Sequence, residues 1–283
     1  IDEALTISRS LIPRSRLLVI GGGWIGLEVA AAARQKQVEV ILVEAAKQLC
    51  SRVLPDDFAS YLQMQHQRRG VQIYLNTTVE RFGGKQRFEF ADLSCGERIQ
   101  ADAAIIGIGA IPNSEIASAA GLETNNGIVV NAFGQTSDEA IYAAGDVANQ
   151  PNNAGGRVRL ESWSNAQNQA ISAAKAMLGM ESIYQDIPYF WSDQYDIKLQ
   201  ILGFFTDYEN VVHRGDKSNE LTSFFLKDNR IVAVIGINRP QDIAISRRLM
   251  QKKIAVDHLV LESAKTLNDI LRGGILQVSM QTN

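Results

Sequence analysis

Three glycines near the start of the chain have a spacing that favours contact with phosphate groups. Gly21, Gly23 and Gly26 lie in residues 19–44, which read VIGGGWIGLEVAAAARQKQVEVILVE. At this spacing the first glycine permits a sharp turn, the second lets a pyrophosphate approach the backbone, and the third lets a helix pack closely on a sheet. Trp24 and Ile25 open that helix, whose N-terminal N–H groups face the phosphates. The pattern predicts a dinucleotide-binding loop.

An acidic residue follows the loop at a distance that fits the same ligand. Glu44 stands 18 residues after Gly26, at the end of a predicted strand. A carboxylate there accepts hydrogen bonds from both ribose hydroxyls of an adenosine and repels a 2′-phosphate, which favours NADH over NADPH. Lys47 and Arg52 lie close enough in sequence to weaken this discrimination. Arg52 is also predicted to contact the nucleotide. The alternative is an ordinary solvated glutamate at a strand end.

The elements that must position these residues form a βαβ unit. An apolar strand is predicted over residues 17–20, an Ala-rich helix over 24–36 and an alternating strand over 38–44. A further amphipathic helix ends at Gly70, and VQIYLNTTVERF and KQRFEFADL are each predicted as a strand. AAIIGIGAIPN is an apolar strand whose Gly107 and Gly109 leave room for a ligand before Pro112 closes the turn. This order of elements is typical of an α/β fold.

A second nucleotide-type signal comes more than a hundred residues after the glycine loop. Asp146 follows a small glycine in residues 127–148, GIVVNAFGQTSDEAIYAAGDVA, at the expected end of a short strand and the expected start of a helix. A carboxylate in that place is suited to holding sugar-type hydroxyls, although Gly145 and Asp146 alone also fit an ordinary turn. The sequence contains no second G-x-G-x-x-G loop to serve this residue.

Composition limits the function classes. The chain has 283 residues, of which 46% are hydrophobic and 21% charged, with a net charge of −3, so two or three globular domains are expected and nucleic acid is not an expected partner. No run approaches the roughly 18 apolar residues of a membrane helix. Cys50 and Cys95 form no Cys-x-x-Cys motif, which predicts reduced thiols in a cytoplasmic protein. No metal site is expected, and His66 is assigned a surface or packing role.

The segments together resemble the two-dinucleotide flavoprotein superfamily of glutathione-reductase type, in which TSDEAIYAAGD is similar to the C-terminal flavin signature. VIGGGWIGLEVAAAA, GIGAIPN, RLESWSNAQNQA and FWSDQYDIKLQILG resemble the NADH:ferredoxin reductase component of bacterial aromatic-ring dioxygenases, with putidaredoxin and rubredoxin reductases as close relatives. The resemblance covers essentially the whole chain.

The resemblance implies three regions. These are a Rossmann-like NAD-binding domain (1–112), the C-terminal half of a second Rossmann-like domain that binds FAD (113–188), and a small α+β C-terminal domain (189–283). The resemblance also implies an order in which the first half of the FAD domain, with its own glycine loop, precedes the NAD domain, so that half is expected upstream of Ile1.

The resemblance also assigns residues to the cofactors. Asp146 would hold the FAD ribitol hydroxyls, and the Val147 N–H would face the phosphates. Trp163 would line the flavin edge, and Trp191 would stand at the isoalloxazine ring where electrons leave. The turn at residues 107–109 would lie along the nicotinamide with Glu161 nearby. For both tryptophans, filling a core is the alternative.

The implied activity is hydride transfer from NADH to FAD, followed by single-electron transfer to a [2Fe–2S] ferredoxin, and no protein residue is expected to be catalytic. The missing cysteine pair separates the chain from the disulfide reductases of the superfamily. A basic segment, AISRRLMQKK, is either a solvated helix face or part of a ferredoxin-docking surface through Arg247, Arg248, Lys252 and Lys253. Rubredoxin or putidaredoxin reduction, NADH oxidation and an NADH-binding module remain alternatives.

Overall fold

The chain divides into two compact units. The computed structural model describes residues 2–152, 155–180, 182–216, 219–264 and 266–273. The first unit contains Ile1–Gly109 and Ser192–Ile197, and the second contains Ala110–Trp191 and Lys198–Asn283. Each unit has its own sheets and its own buried core.

The first unit contains the predicted βαβ opening. Its elements in chain order are α1 (Asp2–Ser10), β1 (Arg16–Ile20), α2 (Trp24–Gln35), β2 (Glu39–Val43), α3 (Asp56–Arg68), β3 (Val71–Tyr74), β4 (Val79–Gly83), β5 (Phe90–Leu93), β6 (Arg98–Gln100) and β7 (Ala103–Ile106). The strand, helix and strand predicted for the glycine-loop region therefore correspond to β1, α2 and β2.

A four-stranded parallel sheet of order β3-β2-β1-β7 forms the centre of this unit. Its central strands are apolar on both faces, as expected for a parallel sheet covered on both sides, and Leu17, Leu18 and Leu42 are fully buried. Helix α2 contacts β1 and β2. This arrangement places the turn after β1, the end of β2 and the end of β7 at the same edge of the sheet.

The segment VQIYLNTTVERF is two strands rather than the single strand predicted. It is interrupted at Asn76, whose φ of 51° lies in the left-handed region that a strand residue does not adopt. The first part, β3, joins the parallel sheet, and the second, β4, joins a separate antiparallel sheet of order β4-β5-β6.

His66 on α3 has a packing role and is not at the surface. It is fully buried, its Nε2 lies 2.9 Å from Gln194 Oε1, and its Nδ1 lies 3.1 Å from the Tyr195 hydroxyl. Gln194 in turn donates to Ser192 Oγ, which donates to Glu28 Oε1. Burial lowers the pKa of His66, so the neutral ring is the form that this hydrogen-bonded chain accommodates.

The second unit follows the end of β7. Its elements are α4 (Glu115–Ala119), β8 (Ile128–Val129), β9 (Ala148–Pro151), β10 (Arg157–Arg159), α5 (Trp163–Met177), β11 (Tyr189–Gln194, whose last three residues belong to the first unit), β12 (Ile197–Gly203), β13 (Asn210–Asp216), β14 (Glu220–Lys227), β15 (Arg230–Ile237), α6 (Pro240–Gln251), α7 (His258–Ser263) and α8 (Leu267–Gly273). Among the described residues, no helix is both long and apolar enough to cross a bilayer.

The helix expected directly after Asp146 is not there. Gly145–Val147 is one 3₁₀ turn, β9 follows it, and the next helix, α5, begins only at Trp163. Strand β9 lies between β8 and β10 in a three-stranded sheet, and it ends at Pro151. Pairing with these two strands satisfies the backbone of β9 in place of a helix, and a proline inside a helix would break it.

A five-stranded sheet of order β11-β12-β15-β14-β13 contains the last part of the chain. The predicted hairpin is present, because β14 and β15 pair in antiparallel fashion around Asp228 and Asn229, which both have positive φ. Helix α6 packs on β15 and adds Ile243, Ile245 and Leu249 to the core of this region. Helices and an antiparallel sheet together make this the α+β part of the chain.

Candidate cofactor sites

The glycine loop after β1 is shaped by close backbone contacts. Gly21 has a φ of +104°, and a Cβ on it would lie 2.3 Å from the carbonyl oxygen of Gly107 at the end of β7. A Cβ on Gly26 would lie 2.0 Å from the carbonyl oxygen of Gly21. Only glycine fits these two positions, so the turn and the helix approach each other as the sequence predicted.

Gly23 is the open position of the loop. A Cβ placed on it meets no atom within 4 Å, and Gly23 is the N-cap residue of α2 without any side-chain cap. Trp24 is half-buried and Ile25 is 67% exposed in the first turn of that helix. Open space at an uncapped helix N-terminus is where a pyrophosphate binds, so this loop fits the group.

Glu44 follows β2 and is joined to the glycine loop. Its Oε2 accepts the Gly22 N–H at 2.6 Å, and its Oε1 accepts the Ala46 N–H at 2.7 Å. A carboxylate has about four lone-pair positions, so each oxygen keeps one for a ligand hydroxyl. The carboxylate is therefore oriented before any ribose arrives.

Gly22 is a residue of this site that the sequence reasoning missed. Besides its N–H bond to Glu44, its carbonyl accepts the Cys50 N–H at 2.9 Å, and a Cβ on it would lie 2.5 Å from Leu49 Cδ2. The signal was present as the middle glycine of the GGG run. Cys50 is buried beneath the loop, and this burial, followed by the charge of Glu44, raises the pKa of its thiol to about 12.

The end of β7 lies against the same glycine loop. The Gly107 N–H donates to the Ile20 carbonyl at 2.7 Å, and Ile108 is 70% exposed. Gly109 has a φ of +115°, and a Cβ on it would lie 3.4 Å from a guanidinium nitrogen of Arg52, which is exposed. The first unit thus brings together nine predicted residues: Gly21, Gly23, Trp24, Ile25, Gly26, Glu44, Arg52, Gly107 and Gly109.

The other five predicted residues, Asp146, Val147, Glu161, Trp163 and Trp191, lie in the second unit. Asp146 is exposed, and within the described residues its carboxylate has no hydrogen-bond partner. The carbonyl of Val147 rests against Gly127, because a Cβ on Gly127 would lie 2.4 Å from that oxygen. A free carboxylate on a tightly held turn fits the hydroxyl-binding role that the sequence assigned to Asp146.

Glu161 is already engaged by a cation. Its Oε1 pairs with Arg159, and the same guanidinium nitrogen donates to the Asp146 carbonyl at 2.9 Å. Arg159 therefore links the turn at Asp146 to the segment before α5. This arginine lies within the RLESW motif but was not singled out by the sequence reasoning.

The two tryptophans are surface residues and do not fill a core. Trp163 is 67% exposed and Trp191 is 39% exposed, and their rings meet edge to face with centroids 6.1 Å apart. Tyr189 stacks on Trp191 with centroids 5.6 Å apart, and Arg247 lies 5.0 Å from the centre of the Tyr189 ring. Exposed aromatic rings in contact form an apolar surface patch that a ligand or a partner protein can cover.

Arg247 is less available than the sequence reasoning assumed. It forms an ion pair with Asp186 at 3.6 Å in addition to its contact with Tyr189. Of the four cations predicted to face a partner, Arg248, Lys252 and Lys253 are the ones that remain exposed, and both lysines lie beyond the end of α6.

The parallel sheet, the glycine loop and the acidic strand end define a Rossmann-like dinucleotide-binding fold. Two family models match the chain: pyridine nucleotide-disulphide oxidoreductase over residues 1–170 and reductase C-terminal over residues 189–271. The chain belongs to the pyridine nucleotide-disulphide oxidoreductase family.

Named relatives are similar over most of this chain. The ferredoxin--NAD(+) reductase component of the anthranilate 1,2-dioxygenase system of Burkholderia cepacia is 41% identical over 88% of the chain and 62% of the relative. Putidaredoxin reductase of Pseudomonas putida is 36% identical over 99% of the chain and 68% of the relative. The crystal structure of the covalent putidaredoxin reductase–putidaredoxin complex matches with a TM-score of 0.91 at 36% identity, over 97% of this chain and 67% of that one. The chain thus spans about two thirds or less of the length of these relatives.

Proposed function

We propose that the protein is a flavoprotein oxidoreductase that passes hydride from NADH to FAD and then single electrons to a [2Fe–2S] ferredoxin of an aromatic-ring dioxygenase system. The observation that carries the proposal is the glycine loop joined to Glu44, found in a chain whose relatives include a ferredoxin--NAD(+) reductase component and a putidaredoxin reductase. The site residues named below are part of the same proposal.

The first unit binds NADH. The N–H groups at the start of α2 hold the pyrophosphate over Gly23, and Glu44 accepts the ribose hydroxyls through the lone pairs that its backbone partners leave open. Arg52 lies beside the phosphates or the adenosine. The turn at residues 107–109 lies along the nicotinamide, which the absence of side chains on Gly107 and Gly109 permits.

The second unit contributes one part of the FAD site. Asp146 holds the ribitol hydroxyls, the Val147 N–H faces the phosphates, and Trp163, Glu161 and Trp191 lie near the flavin. When bound, FAD supplies the chemistry, because it accepts an electron pair as hydride and releases electrons one at a time. The protein residues position the two cofactors, and none of them is proposed as a nucleophile or a general base.

The two free cysteines are consistent with electron transfer to a separate protein. Cys50 is a buried thiol with a raised pKa and Cys95 is exposed, and neither forms a disulfide. These two thiols therefore form no dithiol that could receive electrons from the flavin. Arg248, Lys252 and Lys253 are the cations proposed to steer an acidic ferredoxin.

The proposal also covers location and domain boundaries. We place the protein in the cytoplasm, where NADH and reduced thiols occur. We propose that the NAD-binding domain ends at residue 112 and that the C-terminal part of the FAD domain ends at residue 188.

The test is the visible spectrum of the purified full-length protein during anaerobic titration with NADH, followed by reduction of an added [2Fe–2S] ferredoxin. A flavin spectrum that NADH bleaches, with ferredoxin reduced in a second step, is the expected result. A colourless protein that still binds NADH would contradict the proposal and leave an NADH-binding module. Bleaching without ferredoxin reduction, but with peroxide formed in air, would indicate an NADH oxidase.

A further inference from the structure

Three amide side chains lie buried beneath the turn that carries Asp146. Gln150, Asn165 and Gln169 are 6%, 3% and 2% exposed. A buried amide needs partners for two donors and one acceptor oxygen, and a missing partner costs free energy. These three amides satisfy one another in a continuous chain of hydrogen bonds.

The chain begins at the turn itself. The Gly145 N–H donates to Gln169 Oε1 at 2.7 Å, and Gln169 Nε2 donates to Gln150 Oε1 at 2.7 Å. Gln150 Nε2 donates to Asn165 Oδ1 at 3.1 Å, and Asn165 Nδ2 donates to the Leu160 carbonyl at 3.1 Å. An N–H can only donate and a carbonyl can only accept. The two backbone groups at the ends therefore fix the orientation of every amide between them.

The far end of the chain reaches the second segment assigned to the flavin. Leu160 directly precedes Glu161, and Asn165 also donates its backbone N–H to Ser162 Oγ, the N-cap of α5, at 3.2 Å. The Tyr184 hydroxyl donates to Asn165 Oδ1 at 3.0 Å and closes the network. The same buried amides thus hold both the turn at Gly145–Val147 and the start of α5.

We propose that Gln169 is a positioning residue for FAD. It fixes the Gly145–Val147 turn and, through Gln150 and Asn165, sets the position of that turn relative to residues 160–163. This inference rests on the proposed function, since it needs FAD at Asp146. Gln169 acts through the backbone of Gly145. The Asp146 carboxylate then meets the ribitol hydroxyls without a cost for ordering the turn.

The test compares Gln169→Leu with a matched control, Gln167→Leu, on the exposed face of the same helix. FAD and NADH are titrated separately by calorimetry into the flavin-free, full-length parent protein and into both variants prepared in the same way. We expect Gln169→Leu to weaken FAD binding by about tenfold or more, because it leaves a buried N–H without an acceptor. NADH affinity should stay within about twofold, since the glycine loop belongs to the other compact unit of the chain. Gln167→Leu should leave both affinities unchanged.

A conservative variant tests positioning separately from packing. In Gln169→Glu, the neutral carboxylic acid can accept from Gly145 and donate to Gln150, as the amide does. The ionised form has no donor for Gln150. Relative to the parent at each pH, its FAD affinity should rise toward the parent value at about pH 5.5 and fall at about pH 8, because burial raises a carboxyl pKa. Hydrogen exchange of the Gly145 amide should quicken in Gln169→Leu and in Gln169→Glu at the higher pH.

The results distinguish a failure of the proposed function from a failure of the role proposed for Gln169. A parent protein that binds no FAD would refute the proposed function and this inference with it. If the parent binds FAD and Gln169→Leu binds it equally well, the inference is wrong while the function stands. If Gln169→Leu does not fold, Gln150→Leu replaces it, because this variant breaks the chain one link away from the turn. FAD binding at parental strength in that variant would overturn the inference.

Discussion

Removal of the Glu44 carboxylate should weaken NADH binding through two sets of hydrogen bonds. The carboxylate accepts the Gly22 N–H and the Ala46 N–H, and it offers its remaining lone pairs to the ribose. Gly22 is buried, so its N–H cannot turn to water when Glu44 is lost, whereas Ala46 is only half-buried. The substitution therefore loosens the glycine loop as well as removing ligand contacts.

The magnitude follows from the number and type of these bonds. A hydrogen bond to a charged acceptor contributes about 1.5–3 kcal/mol. Two such bonds to the ribose are lost in Glu44→Ala, and water in the vacated space replaces part of them. We expect a net loss of about 2–3 kcal/mol, or roughly a 30- to 160-fold rise in the Kd for NADH. Unfolding free energy should fall by about 1–3 kcal/mol because one backbone donor is left buried.

Glu44→Gln should be almost as damaging as Glu44→Ala. The amide has one acceptor oxygen and one NH₂ group, and both backbone partners of this side chain are donors. In Glu44→Gln, one of these two backbone N–H groups therefore faces the side-chain NH₂ group, which cannot accept its hydrogen bond. Loss of the charge also removes the repulsion of a 2′-phosphate, so the ratio of NADPH affinity to NADH affinity should rise in both variants.

The assay is calorimetric or fluorescence titration of NADH and NADPH into the parent and the variants, with Glu39→Ala as the matched control at the exposed start of the same strand. FAD content is measured in parallel and should not change. A Glu44→Gln variant with parental NADH affinity would refute the reasoning. An equal loss for NADH and NADPH in Glu44→Ala would show that the carboxylate does not read the ribose.

Three further predictions follow from the geometry. Gly26→Ala should abolish NADH binding and destabilise the protein by about 1–3 kcal/mol, because the added Cβ would lie 2.0 Å from the Gly21 carbonyl oxygen. Gly23→Ala should lose NADH binding but unfold at the parental temperature, because its added Cβ meets no protein atom within 4 Å. Melting temperature should fall as pH drops below about 6.5, because His66 binds a proton in the unfolded chain but, with its lowered pKa, stays neutral in the folded protein. His66→Gln should remove this part of the pH dependence. An unchanged profile in that variant would contradict the assignment. Charge reversal at Arg248 and Lys252 should slow ferredoxin reduction by about tenfold at low salt without changing NADH-driven dye reduction, and equal effects on both would eliminate the docking role.

The parts of the fold that sequence predicted well depend on neighbours in the chain. The βαβ opening has a clear change of hydrophobic period from strand to helix to strand, and its turn is set by glycines a few residues apart. The hairpin around Asp228 and Asn229 is likewise local, since turn residues alone determine where the chain reverses. Both were predicted correctly because no distant partner decides them.

Several features that the local sequence did not show depend on a partner far away in the chain. After Asp146 a helix was expected, but pairing of β9 with β8 and β10 decides the conformation there. His66 is buried because Gln194 and Tyr195 meet it from about 130 residues away, which no local pattern shows. Arg247 belonged to a basic run, yet an acidic partner 61 residues earlier, Asp186, engages it.

The two proposed cofactor sites share one structural feature. In each, a glycine-containing turn presents backbone to the ligand, and its N–H is held by a side chain 22 to 24 residues later, Glu44 for Gly22 and Gln169 for Gly145. The first turn was found from its glycine spacing, and the second from the Gly145–Asp146 pair at the end of a predicted strand. The anchors differ, since Glu44 also offers lone pairs to the ligand whereas Gln169 is buried and reaches the ligand only through the backbone. A buried anchor looks like an ordinary core amide in the sequence, and only the direction of its hydrogen bonds gives it a role.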